Sequence, residues 1–198
     1  MRFIIQRVNQ ASMSIKGKDS SSKIGKGLLI YVGINKNDNE DSLEIICEKL
    51  LNARLFDDEK ETRWKESVKS LDLEILIVSN FTLYNNFKGT KPNFVYSMDA
   101  NSAKILFDKL VQKLKEKYKE EKIKTGEFGE YMLIDSQNDG PVTIDWEYPG
   151  EKAEEPKEKK QKKGKNEKNK ENKEKKEDKE NEEKKEDKYR NPPGYPEF

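Results

Sequence analysis

From Glu151 to Asp187 the chain is Lys, Glu, Asp, Asn and Gln, interrupted only by Ala153, Pro156 and Gly164, with no aromatic or branched apolar residue. Such a stretch has nothing to bury, and chain entropy then opposes folding without compensation. The composition changes at Pro149 and Gly150, so the 198-residue chain is predicted to hold one globular domain at 1–149 and a disordered Lys/Glu-rich tail at 150–198. About 40% of the first part is apolar, enough for a single core.

Charge argues against a general nucleic-acid coat. The whole chain carries 40 basic against 39 acidic residues, and the tail 17 against 15, whereas a duplex-binding surface normally shows a clear positive excess. Local patches remain open, such as Lys157 to Lys165 in the tail or Lys88 and Lys91 in the body, which could meet nucleic-acid phosphates or simply be solvated.

The chain has no histidine and one cysteine. It cannot form an internal disulfide or a Cys/His zinc site, so no metal and no cofactor are expected. Met1 to Ile5 runs straight into Gln6 and Arg7, leaving no signal-peptide core, and no apolar run is long enough to cross a bilayer. These features predict a soluble cytoplasmic protein without a membrane partner. Any chemistry must come from hydroxyls, carboxylates, lysines or the backbone.

Periodicity outlines an α+β domain. Phe3–Val8 and Ser12–Lys16 read as two strands with a turn at Asn9 and Gln10, and Gly27–Gly33 as a third strand buried on both faces. Leu43, Ile46, Cys47, Leu50 and Leu51 fall at helical spacing, which makes Cys47 an inert core residue. Leu71–Phe81 reads as a central strand, and Leu83–Met98 as a long polar loop. A helix is expected from Ser102 to about Lys119, capped by Asp99 or Asn101, with Ile105, Leu106, Leu110, Val111 and Leu114 inward and lysines on the opposite face. Tyr131–Ser136 and Val142–Glu147 read as a final pair joined by a Gly-Pro turn. Trp64, Phe87 and Phe94 are read as packing residues or loop anchors rather than base-stacking platforms.

Two strings stand out: Ser79-Asn80-Phe81-Thr82-Leu83 and Asn138-Asp139-Gly140-Pro141-Val142-Thr143. Each alone is ordinary, the first a sheet end and the second a hairpin turn. Together with Ile5-Gln6-Arg7-Val8, Asn52 to Phe56, Lys91 to Phe94 and Gly126 to Met132, in this order and spacing, they make residues 1 to about 148 resemble the D-aminoacyl-tRNA deacylases. The resemblance implies three layers, two of sheet and one of helix. It also implies a homodimer that hydrolyses the ester joining a D-amino acid, or glycine, to the terminal ribose of tRNA. The family's selectivity element, a Gly-cisPro pair inserted into the opposite subunit's active site, maps onto Gly140 and Pro141. Its catalytic strand motif maps onto Ser79, Asn80, Phe81 and Thr82, and the arginine that supports the turn onto Arg7. Asn80 departs from the family's usual Gln by one methylene, which puts contacts of that amide in doubt.

The implied filter makes physical sense. An ammonium has three donors and no acceptor, so carbonyls of Gly140 and Pro141 aimed inward would receive a substrate α-amino group. With ammonium and ester both anchored, the two enantiomers send their side chains in different directions, and one direction meets the carbonyls. Glycine has nothing to clash. For the ester cleavage, Thr82 lacks an adjacent base in Ser79 or Asn80. Assistance by the substrate's ribose 2′-hydroxyl is therefore favoured, with N–H groups around Asn80 and Phe81 facing the developing charge. The rival reading is a non-catalytic dimer that binds nucleic acid or ribosomes through the charged tail, whose partner the residues do not identify.

Overall fold

The computed structural model describes residues 1–149, so the expected tail at 150–198 lies outside the described residues. The chain forms β1 Arg2–Ile15, β2 Ser21–Ile24 and β3 Gly27–Gly33, then a 3₁₀ turn Glu40–Ser42 leading into α1 Leu43–Asn52. Next come β4 Arg54–Phe56, β5 Glu66–Ser67, β6 Glu74–Ser79 and a 3₁₀ turn Phe81–Leu83. β7 Asn86–Lys88, β8 Lys91–Asn93, α2 Ala100–Lys117, β9 Ile123–Thr125 and β10 Met132–Glu147 complete the domain. The main sheet runs β10-β1-β3-β6-β9, with β2 also on β1. β1 is antiparallel to its neighbours, while β3, β6 and β9 run parallel.

β3 shows why three layers result. Leu28, Ile30 and Val32 pack toward Ile46, Leu50, Leu110 and Leu114 of the helices, while Leu29 joins Ile24, Leu76 and Val78 on the other side. β1 serves both cores: Phe3 and Ile5 face the helices, whereas Val8, Ala11, Met13 and Ile15 belong to the second cluster. The change is made by one extra residue, since Val8 pairs with Asn138 but Gln10 with Gln137. A bulge of one residue reverses which side of a strand faces inward. The expected turn at Asn9 and Gln10 is therefore a bulge within one continuous strand.

The Gly-Pro segment departs from expectation in the same way. Gln6 pairs with Thr143 and Val8 with Asn138, so Asp139–Val142 leave the ladder opposite Arg7 and the chain then resumes along the same neighbour. This is a protruding loop within β10, not a turn between two strands. The cause is the partner: both halves pair with β1 rather than with each other.

Other boundaries shift for local reasons. β6 begins at Glu74 rather than Leu71, because Asp72 sits at φ +53° in a turn. The expected polar loop contains the β7–β8 hairpin. α2 starts at Ala100 with Asp99 accepting from Ser102 N, and ends at Lys117. Its inward stripe is Ala103, Leu106, Phe107, Leu110, Val111 and Leu114, which leaves Ile105 61% exposed. Lys113 and Lys117 do not simply face water but reach Glu44 and Glu48 on α1. Phe94 packs edge-on against Phe81, but Trp64 and Phe87 are exposed rather than packed. Cys47 is buried, and burial pushes its thiol up to about 12, which leaves it un-ionised and inert as expected.

Candidate active site

Ser79 is the last residue of the parallel strand β6, paired with Val32 of β3. The next residue, Asn80, stays extended and donates its N–H to Val32 O at 2.7 Å, after which the chain tightens into the Phe81–Leu83 turn. The Asn80 side chain caps that turn: its Oδ1 accepts from Thr82 N at 3.2 Å and from Thr82 Oγ1 at 2.6 Å. Ser97 Oγ donates to Phe81 O and Asn85 Nδ2 to Thr82 O, each at 2.8 Å. Gly33 lets the turn lie against β3, for a Cβ there would stand 2.8 Å from Leu83 Cβ.

The turn is thus braced on its carbonyl side, and its donors are distinguishable. Asn80 N–H and Thr82 N–H are committed, whereas Phe81 N–H has no partner among the described residues. Expectation placed both Asn80 and Phe81 donors toward the reaction, but the ladder to β3 consumes the first. Thr82 Oγ1 donates to an amide oxygen, which cannot take its proton as a base.

These residues line a cleft of ≈ 780 Å³, whose far wall includes Phe94, Met98, Phe128, Tyr131 and Met132. Glu130 is its one carboxylate, held 3.0 Å from Lys18 Nζ. Tyr31 lines the inner wall with its phenol pushed up by burial, so it stays protonated. Among the described residues no group of three or more acidic, Cys or His side chains could hold a metal, and no helix is long and apolar enough to cross a membrane.

The second string lies elsewhere. Gly140 has φ +119° and its bond to Pro141 is cis. Arg7, only 11% exposed, fixes the base of this loop: its Nε lies 3.0 Å from Asp139 Oδ2, and Nη1 donates to Leu55 O at 2.9 Å. A second carboxylate oxygen, Asp57 Oδ1, stands 3.7 Å from Nη1. Neither Gly140 nor Pro141 lines the cleft. The loop sits opposite Arg7, which pairs with Leu28, whereas Ser79 pairs with Val32 three strands from β10. Four residues along and three strand spacings across amount to roughly 20 Å over the sheet. One chain therefore brings Ser79, Asn80, Phe81 and Thr82 together, and Arg7 with the Gly140–Pro141 loop, but does not join the two groups.

Reasoning from the strings alone misses the bracing by Ser97 and Asn85 and the room made by Gly33. Gly33 closes an apolar run, which is a usable signal; Ser97 and Asn85 carry none. Phe128 lies within the Gly126 to Met132 segment of the resemblance, and it forms part of the cleft wall.

Comparison with known proteins follows the same extent as the fold. Residues 4–147 match the family described as D-Tyr-tRNA(Tyr) deacylase. The chain is 44% identical over 152 residues to the D-aminoacyl-tRNA deacylase of Drosophila melanogaster, covering 77% of this chain and 95% of that protein. It is 44% identical over 155 residues to the D-aminoacyl-tRNA deacylase of Plasmodium falciparum, covering 73% of this chain and 93% of that one. Among solved structures, the c-Myc DNA Unwinding Element Binding Protein superposes with a TM-score of 0.71 at 40% identity, over 76% of this chain and 100% of the other.

Proposed function

This chain belongs to the D-aminoacyl-tRNA deacylase family, and we propose that it acts as a cytoplasmic homodimer in which each cleft is completed by the Gly140–Pro141 loop of the partner. It is an ester hydrolase that removes D-amino acids from tRNA in translational proofreading. The observation that carries the dimeric reading is the roughly 20 Å that separates loop and cleft within one sheet. A second copy related by a two-fold axis would supply each missing half reciprocally.

In this arrangement the terminal adenosine lies in the cleft of 79–82, with the ester carbonyl at Phe81 N–H. That donor is unspent and held by a braced turn, which favours it as a preorganised site for the oxyanion. Water attacks the carbonyl carbon, the ribose 2′-hydroxyl assists, and the ester C–O bond breaks to leave the tRNA 3′-hydroxyl and a free amino acid. Thr82 stays a hydrogen-bond donor to Asn80. The shorter Asn80, in place of the usual Gln, suits a capping role for the amide. The α-ammonium meets the carbonyls of Gly140 and Pro141 from the partner, so L-side chains collide with them and D-side chains do not. Glycyl-tRNA, with no side chain to collide, is accepted.

A complementation experiment tests the shared site on D-tyrosyl-tRNA. One variant carries Gly140→Val; the other carries Ala100→Trp, which fills the cleft from the exposed first turn of α2. Each alone should be inactive, and an equal mixture reassembled at random should regain about a quarter of wild-type turnover, since half the dimers then hold one intact site. Absence of recovery in demonstrated heterodimers, or a fully active monomer, overturns the shared site.

The solved structure named for DNA binding keeps a second reading in view, a nucleic-acid-binding dimer. Retained turnover after removal of 150–198 supports the enzyme. A folded but inactive truncation, with a tail that binds nucleic acid and a steep salt dependence, supports the rival.

A further inference from the structure

The β7–β8 hairpin stands apart from the rest of the domain. All six of its strand residues are exposed, and nothing in either core cluster comes from it. Its register pairs Asn86 with Asn93, Phe87 with Pro92 and Lys88 with Lys91. Opposed residues in an antiparallel pair share a face, so Lys88, Lys91 and both asparagines project on one side while Phe87 and Pro92 project on the other.

Two lysines directly across from each other repel, and an isolated two-stranded hairpin is marginal to begin with. Lys113, Lys117 and Lys18 each have a carboxylate within 3.2 Å, while single lysines such as Lys23, Lys49 and Lys124 stand without one among the described residues and have no like charge paired directly opposite them in a two-stranded hairpin. Lys88 and Lys91 have none among the described residues. The sequence withholds one as well, because no Asp or Glu occurs from Ile75 to Met98 in a chain with 39 acidic residues. At that frequency a 24-residue stretch would carry about five, so the patch departs from its own chain's habit. Folding does not account for an uncompensated like-charge pair; an anionic partner does.

Position identifies the partner. β8 runs directly into Phe94, which lines the cleft mouth against Phe81 at a centroid distance of 5.1 Å. Lys91 lies three residues from that wall, roughly 10 Å along an extended chain. Resting on the reading of the cleft as the terminal-adenosine site, we propose that the Asn86/Lys88/Lys91/Asn93 face of this hairpin is a ledge for the phosphodiester backbone of the unpaired strand leading to that adenosine. The lysines then neutralise phosphates as point charges, the asparagines donate to phosphate oxygens, and no base is read.

The experiment uses the full-length chain with uncharged tRNA, D-tyrosyl-tRNA and D-tyrosyl-adenosine, a small ester carrying only the last nucleoside. Lys88→Gln/Lys91→Gln should lower the salt slope of uncharged tRNA binding by about 1.4, two single-strand phosphate contacts. It should also cut kcat/KM on D-tyrosyl-tRNA about tenfold or more at low salt, through KM, and leave D-tyrosyl-adenosine turnover unchanged. Phe87→Ala, on the opposite face, should leave the salt slope as it was. An unchanged slope in the double lysine variant overturns the ledge, as does an equal loss on both esters. Failure of the wild-type chain to cleave either ester refutes the enzymatic reading instead, and the binding slope with uncharged tRNA still decides the ledge.

Discussion

Of the two segments of the proposed site, one ends strand β6 and the other interrupts β10, and they are held in opposite ways. The turn at 79–83 is fastened locally: Asn80, Asn85 and Ser97 all bond to its backbone, and it backs onto β3 through Gly33. The loop at 139–142 is fastened from afar by Arg7, a residue 132 positions away, which also ties it to Leu55 O. As the proposed oxyanion site the first needs stiffness, because such a donor works only where it already points at the developing charge. The second projects from its own domain, so it needs a rigid base and a free tip. On the proposed reading, catalytic geometry is thus written in neighbouring residues, whereas selectivity geometry depends on one long-range ion pair.

The comparison can be broken most sharply at the loop. Gly140→Val places a β-branched residue at φ +119°, with its Cβ 2.9 Å from Val142 N, a conformation that L-residues rarely adopt. Turnover of D-tyrosyl-tRNA should fall by about a hundredfold or more while circular dichroism stays native, because the loop lies outside both cores. Retained activity would mean that the tip is not part of the site.

Arg7→Ala should come next. It strands the partly buried Asp139 carboxylate and the Leu55 carbonyl, and leaving such partners unpaired costs about 1–3 kcal/mol. We expect about a tenfold loss in kcat/KM and a narrowed preference for D over L esters. Arg7→Lys should restore little, since one ammonium cannot hold partners placed on two sides of a guanidinium. Unchanged chirality would sever the link between ion pair and filter.

The smallest effect belongs to the braced turn. Thr82→Ala removes one donor to Asn80 Oδ1, which still accepts from Thr82 N, so turnover should stay within about tenfold of wild type. A fall of about a thousandfold with the fold intact would instead identify Thr82 as the nucleophile.

Much of the fold was legible because apolar spacing is a local signal. β3, α1 and the inward stripe of α2 follow from it, and Cys47 takes its place in the core for the same reason. Ile105 was misplaced because it neighbours the stripe without lying on it. The expected turns at Asn9-Gln10 and Gly140-Pro141 failed for a different reason: a bulge and a hairpin turn use the same residue types, and only the identity of the paired strand separates them. The site shows the same division. Residues 79–82 were identified as a group, but which N–H stays unspent depends on Val32 O, supplied by another strand.

Sequence by itself determined which segments bury, and that any chemistry must proceed without histidine or a metal-binding cluster of Cys and His. Those are properties of composition and of spacing along one segment. Tertiary structure alone decided that β1 serves two cores, that the Gly140 loop lies apart from the cleft of its own chain, and that Phe81 carries the available donor. Each of these is set by which strands pair and in what register, and register is a relation between distant segments that no single stretch of residues contains.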